Sequence, residues 1–191
     1  LEAWGLQAMS IGFLVEPDSP MIWRGPMVMG AIEQMLRDVL WTNLDVLLID
    51  LPPGTGDAQL TLSQRAALSG AIIVSTPQDL ALIDARKGLK MFQKVGVPII
   101  GIIENMSYFI CSDCNSRHDI FNSGGARKES EKLNIPFLGE IPLDIIIRQT
   151  SDSGEPLVAL EPKNQHSETF IKISERILEN LKIDRVNRVL Y

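Results

Sequence analysis

The stretch Val46-Leu47-Leu48-Ile49-Asp50-Leu51-Pro52-Pro53-Gly54-Thr55-Gly56-Asp57 decides how the chain is read. A short apolar run delivers a carboxylate and then breaks into a proline- and glycine-rich turn. Continuous Val/Ile/Leu runs of this length suit strands buried on both faces of a parallel sheet. Similar runs recur. Met9–Val15, Ala71–Val74, Ile99–Ile103 and Phe137–Ile141 each end in polar or turn residues. Helix-periodic stretches alternate with them at Pro26–Leu40, Leu60–Leu68, Leu80–Val95, Ala126–Leu133 and Ser167–Leu181. Alternation of this kind predicts an α/β fold, with a doubly wound, mostly parallel sheet and helices on both faces.

The chain has 191 residues, 45% of them hydrophobic and 22% charged. That length suits one domain and can bury a core without disulfides. Lys and Arg number 18 against 24 Asp and Glu, a net charge of −6. A basic nucleic-acid footprint is therefore not expected. No apolar run reaches the length of a membrane span. The chain starts at Leu1 rather than Met, with apolar sequence close behind, and reads as beginning part-way through a domain. Residues 1–181 are expected to form a single, partial domain with a cysteine-containing insertion around 107–123. The charged tail 182–191 is expected to fray.

In an open α/β sheet, ligands bind at the carboxyl ends of the strands. Asp50 stands at such an end, where a carboxylate can hold Mg²⁺ directly or through water. It can equally cap a turn. The Gly54-Thr55-Gly56 turn lets the backbone approach a phosphate. Yet no G-x-x-x-x-G-K-[ST] loop occurs, and no glycine precedes a lysine. Asp50 without a phosphate loop holds a triphosphate poorly. Asn105, after another apolar run, carries both donor and acceptor and can read an adenine edge. Pro142 can wall such a base. Both residue types are also common in turns.

The only cysteines are Cys111 and Cys114, in C-x-x-C spacing. Two thiolates so spaced can chelate a soft metal centre, but they make half of a four-thiolate site. A half-site points to a symmetric dimer with zinc or a 4Fe–4S cluster on its axis. A redox pair would open a helix, whereas Asn115-Ser116-Arg117-His118 reads as loop. Two unliganded thiols is the plain alternative. His118 is the nearest further ligand candidate, or simply an exposed loop histidine. Arg24 could meet a phosphate or a partner chain, or lie exposed beside Trp23. Met27, Met29 and Met35 read as core filler.

Taken together, several blocks resemble the Mrp/ApbC family. They are Ser10–Leu14, Met21–Met27, Asp50–Asp57, Gln59–Leu62, Ser75–Gln78, Glu104–Ser107, Cys111–Cys114, Gly124–Ala126 and Gly139–Asp144. They cover about Leu6 to Glu155 in family order. The resemblance implies a homodimeric, MinD-like P-loop ATPase that carries a bridging 4Fe–4S cluster and passes it to apo-proteins. It implies Cys111 and Cys114 as cluster ligands and Asp50 as the Walker B/switch II aspartate. It places Gly54 and Asp57 in switch II, Asn105 at the adenine-recognising position, and Pro142 in the loop beside it. The family's Walker A loop and its first βα unit lie upstream of Leu1, so ATP and Mg²⁺ are expected in the intact protein. Neither membrane nor nucleic acid is expected as a partner. The compartment implied is the bacterial cytoplasm or the mitochondrial matrix. Two rival readings are a zinc-bridged interaction module and a partitioning ATPase of the MinD class.

Overall fold

The computed structural model describes residues 1–14, 25–51 and 56–181. They group into two compact units, Leu1–Ala67 and Leu68 onward.

In the first unit, β1 (Glu2–Ala3) and β2 (Leu6–Gln7) form a small antiparallel pair. The Gln7 side chain extends this corner by bonding Thr42 twice, through Thr42 N–H at 3.0 Å and its hydroxyl at 2.6 Å. Met9–Val15, expected as a strand, instead holds a 3-10 turn at Ile11–Phe13. Ser10 Oγ accepts the Gly12 N–H at 3.1 Å and so satisfies locally a group that a ladder would otherwise take. Val15 lies outside the described residues.

Helix α1 (Gly25–Arg37) packs on α2 (Asp57–Arg65). Ala31 and Ile32 of α1 and Leu62 of α2 are buried. Glu33 and Arg65 pair at 3.1 Å on the rim. Met27, expected in the core, is exposed because it falls on the solvent side of α1, whereas Met29 and Met35 are half-buried. Val46–Ile49, expected as a strand, has no ladder partner among the described residues, and Val46 and Leu48 are exposed. An apolar run supplies strand propensity, but a strand exists only where another backbone takes its hydrogen bonds.

The second unit matches the predicted architecture closely. β3 (Ala71–Ser75) leads through α3 (Asp79–Lys94) to β4 (Ile99–Glu104). A short hairpin follows, formed by β5 (Phe109–Ile110) and β6 (Arg117–His118). The chain continues through α4 (Gly125–Leu133) to β7 (Phe137–Glu140). β3, β4 and β7 form a parallel sheet in that order. Alternate residues divide between its faces. Ile73 and Ile102 lie against Leu82 and Leu89 of α3 and Leu133 of α4. Ile103 and Leu138 pack with Ile173 of α7 (Gln165–Asn180), with Ile72 and Phe170 against them. Helices therefore cover both faces.

Two helices go beyond the sequence reading. α5 (Ile145–Ser153) and α6 (Leu157–Leu160) lie between β7 and α7. Ile145-Ile146-Ile147 has a strand-like composition, but Asp144 caps it as a helix, its Oδ1 accepting the Ile146 N–H at 2.8 Å.

The sheet closes tightly at Gly101. A Cβ there would come within 2.5 Å of Leu138 Cγ and 2.7 Å of the Pro136 carbonyl oxygen. Gly101→Ala should therefore overpack the β4–β7 contact and cost about 1–3 kcal/mol, read as a lowered urea midpoint.

Candidate functional site

The parallel strands end in register. Ser75, Glu104 and Glu140 are neighbours across β3, β4 and β7. Just beyond them the segments stay hydrogen-bonded. Asn105 N–H donates to the Ser75 carbonyl at 2.8 Å, and Ile141 N–H to that of Glu104 at 2.8 Å. Ser107 N–H then reaches the Ile141 carbonyl at 2.9 Å, and Leu143 N–H that of Tyr108 at 2.7 Å. Asn105 and Pro142 thus lie on two adjoining segments at one end of the sheet. Asn105 is half-buried and Pro142 buried. The Asn105 Oδ1 accepts the Met106 N–H at 2.9 Å, making a side-chain turn that suits the left-handed Met106 (φ 53°).

Glu104 is the residue that sequence reasoning passed over. Its side chain is fully buried. Oε1 accepts the Ser107 hydroxyl at 2.5 Å and the Gly124 N–H at 2.9 Å, while Oε2 accepts the Ala126 N–H at 2.7 Å. Two of these donors belong to the start of α4, where the helix dipole favours a negative group. Gly125 lets that helix start press close. A Cβ at this position would lie 2.8 Å from the Pro77 carbonyl oxygen and 2.7 Å from Leu82 Cδ1. The buried carboxylate therefore draws together the two ends of the excursion that holds the cysteines.

Cys111 and Cys114 sit on the tip of the β5–β6 hairpin, where the sequence reading had only loop. Phe109 pairs with His118 and Ile110 with Arg117. The turn is closed by Cys111 N–H to the Ser116 carbonyl at 3.0 Å and Asn115 N–H to the Cys111 carbonyl at 2.9 Å. Asn115 takes the left-handed conformation this requires (φ 57°). Cys111 is half-buried and Cys114 exposed. The Cys114 sulfur lies 3.3 Å from Ser116 Oγ. Hydrogen bonds from the Ser116 side chain, the Ser116 backbone and the Cys111 thiol hold the Cys114 thiol below the usual cysteine range. Both cysteines therefore belong to one turn at the hairpin tip, where these hydrogen bonds favour the thiolate form of Cys114. Among the described residues, no third His, Cys, Asp or Glu joins them. His118 is exposed on β6, its ring 6.4 Å from that of Phe109.

The hairpin is tied to the sheet through charged and aromatic groups. The Arg117 guanidinium lies 4.1 Å over the Tyr108 ring, and its Nη1 is 3.8 Å from Glu140 Oε1. Arg127 of α4 approaches the same carboxylate at 4.0 Å. Burial pushes the Tyr108 phenol up, Glu140 adds to this, and Arg117 opposes it.

Asp50 belongs to the first unit and is exposed beyond Ile49. Asp57 is the first residue of α2. Gly54 and Arg24 lie outside the described residues, as does the tail 182–191. No helix among the described residues is long and apolar enough to cross a membrane.

A family model described as "ParA: NUBPL iron-transfer P-loop NTPase" matches residues 1–178. The chain belongs to this family. It is 51% identical, over 96% of its length, to the iron-sulfur cluster transfer protein NUBPL of Dictyostelium discoideum. It is also 51% identical, over 95% of its length, to an iron-sulfur cluster carrier protein of Haemophilus influenzae. These matches cover 57% and 49% of the two relatives, so the chain spans about half the length of the curated relatives it matches. A nucleotide-binding protein of Archaeoglobus fulgidus, solved in complex with ADP, superposes with a TM-score of 0.63 at 41% identity. That superposition covers 74% of this chain and 57% of the other. The cell division ATPase MinD of Pyrococcus furiosus shares the fold, with a TM-score of 0.58 at 24% identity over 82% of this chain and 59% of the other. The resemblance read from the sequence and the MinD-like α/β architecture are both borne out.

Two outcomes follow from this geometry. Glu104→Ala strands three donors in the interior and should cost about 3 kcal/mol or more, with Glu104→Gln milder, as measured by chemical denaturation. In the reduced, metal-free protein, iodoacetamide should modify Cys114 before Cys111 at neutral pH, as resolved by peptide mass spectrometry.

Proposed function

We propose that this chain carries the cargo-holding part of an ATP-dependent iron–sulfur cluster carrier. Its cargo is a 4Fe–4S cluster gripped by Cys111 and Cys114 from each of two copies and delivered to apo-proteins. The observation that carries this reading is the hairpin tip that brings Cys111 and Cys114 into one hydrogen-bonded turn, with Cys114 exposed. Four thiolates complete a 4Fe–4S site, and two copies related by a two-fold axis supply four. The relatives' names, cluster transfer and cluster carrier proteins, support the same cargo.

Delivery is then a ligand exchange. Acceptor thiolates replace those of the hairpin tips one at a time, and no electron need move. An exposed tip suits this step, because an incoming thiolate must reach iron while the outgoing one still holds it.

ATP and Mg²⁺ belong to the other half of the proposal. Asp50 holds Mg²⁺, Gly54 and Asp57 belong to the segment that responds to the γ-phosphate, and Asn105 reads the adenine with Pro142 beside it. Family membership and the ADP-bound relative support nucleotide binding. Coupling has a short route. Asn105 directly follows Glu104 in the chain, and Glu104 anchors both ends of the cysteine excursion. The compartment is the bacterial cytoplasm or the mitochondrial matrix.

Anaerobic reconstitution with iron and sulfide tests the proposal. The protein should turn brown, with about four iron and four sulfide ions per two chains, and should sediment as a dimer. Cys111→Ser and Cys114→Ser should each abolish colour and cluster-dependent dimerisation. A colourless dimer that binds only zinc would instead establish a zinc-bridged module.

A further inference from the structure

A two-rung hairpin is too short to hold its own tip rigid. Isolated two-stranded ribbons are marginal even when longer. Here the β5–β6 ladder has two residue pairs, and both cysteines lie beyond it. Something else must fix the tip, since a metal grip depends on how firmly its ligands are held before binding.

One side chain gathers the contacts that do this. Arg117 follows the cysteine turn directly on β6. Its Nε lies 3.1 Å from Asp119 Oδ1, and its Nη2 donates to Ser123 Oγ at 3.1 Å, securing the strand that leaves the hairpin. Its plane covers the Tyr108 ring at 4.1 Å, securing the strand that enters. Its Nη1 faces Glu140, the last residue of β7, at 3.8 Å. Glu140 is held in turn by Arg127 from α4. A single guanidinium therefore spans both arms of the hairpin and the end of the parallel sheet. Only a planar fork with several donors can face these groups at once, which a lysine cannot do.

Building on the carrier reading above, we infer that Arg117 is the positioning residue for the cysteine pair. It holds the hairpin against Glu140 and so sets how tightly the tip retains its cargo. It does not ligate the cluster. Its effect is on the rate at which the two thiols let go.

The test compares wild-type protein with Arg117→Ala, Arg117→Lys and Glu140→Gln, each loaded with cluster anaerobically and then mixed with excess iron chelator. Loss of the thiolate-to-iron absorption gives the release rate. Arg117→Ala should load to the same stoichiometry but release on the order of tenfold faster. Arg117→Lys should fall between it and wild type, and Glu140→Gln should show a smaller acceleration. The double variant Arg117→Ala/Glu140→Gln should release no faster than Arg117→Ala, because the two side chains act through one contact. Release at the wild-type rate from Arg117→Ala would overturn the inference.

Amide hydrogen exchange at Cys111 and Asn115 on the metal-free protein separates this idea from the carrier reading. If wild-type protein takes up no cluster, the carrier reading fails and exchange alone decides the role of Arg117. Faster exchange at both amides in Arg117→Ala supports the tether, and unchanged exchange overturns it.

Discussion

The buried carboxylate of Glu104 is the constraint on which the second unit depends. It accepts three hydrogen bonds, from Ser107, Gly124 and Ala126, with no exposure to solvent. Hydrogen bonds to a charged group are worth about 1.5–3 kcal/mol each, and burying that charge unpaired would cost several times as much. The arrangement is therefore all or nothing. Its partners lie on both sides of the excursion that contains the cysteines, so satisfying the charge also closes the loop. Closing it in turn fixes where α4 begins and how that helix returns the chain to β7.

The consequence for function lies in what stands next to Glu104. Asn105 follows it directly, and its side chain is already engaged with Met106 at the turn into the excursion. Ser107 is both a donor to the Glu104 carboxylate and a backbone partner of Ile141, next to Pro142. A change at the end of the sheet therefore meets the root of the cysteine hairpin within three residues. No long-range wire is needed, because the candidate base site and the hairpin root share backbone hydrogen bonds.

The parallel strands were legible because burial on both faces writes itself as unbroken apolar runs, as in Ile99–Ile103 and Phe137–Ile141. The same signal misled at Val46–Ile49, where composition supports a strand but no backbone among the described residues pairs with it. Pattern reports what a segment would bury, not which partner reaches it. The hairpin under the cysteines was illegible for the opposite reason. Two-residue strands have no period to detect, and the cues that remain are the left-handed Asn115 and the hydrogen bonds across the turn. In α5 three β-branched isoleucines stand at the start of a helix, and the deciding capping bond comes from Asp144 just before them. Cys111 and Cys114 stood out because paired thiols have few uses. Glu104 did not, because its partners Gly124 and Ala126 lie far along the chain and only α4 brings them back.

A protein that must hold a metal centre and then surrender it faces opposed demands on stiffness. Burial would hold the thiols firmly but would bar an acceptor from reaching them. The geometry divides the two demands along the hairpin. Its root is fixed by a desolvated carboxylate and a packed helix start, where opening approaches the cost of unfolding the unit. Its middle is held by half-exposed contacts around Arg117 and Tyr108, each worth about 1 kcal/mol or less. Its tip is held by the turn bonds of Cys111 and Asn115 and by the contact between Cys114 and Ser116. Stability thus falls from root to tip, and the thiols occupy the softest position that is still anchored. Under the proposed carrier function, a firmer tip would retain cargo at the expense of exchange, and a softer root would let the cysteine turn drift before any acceptor arrived.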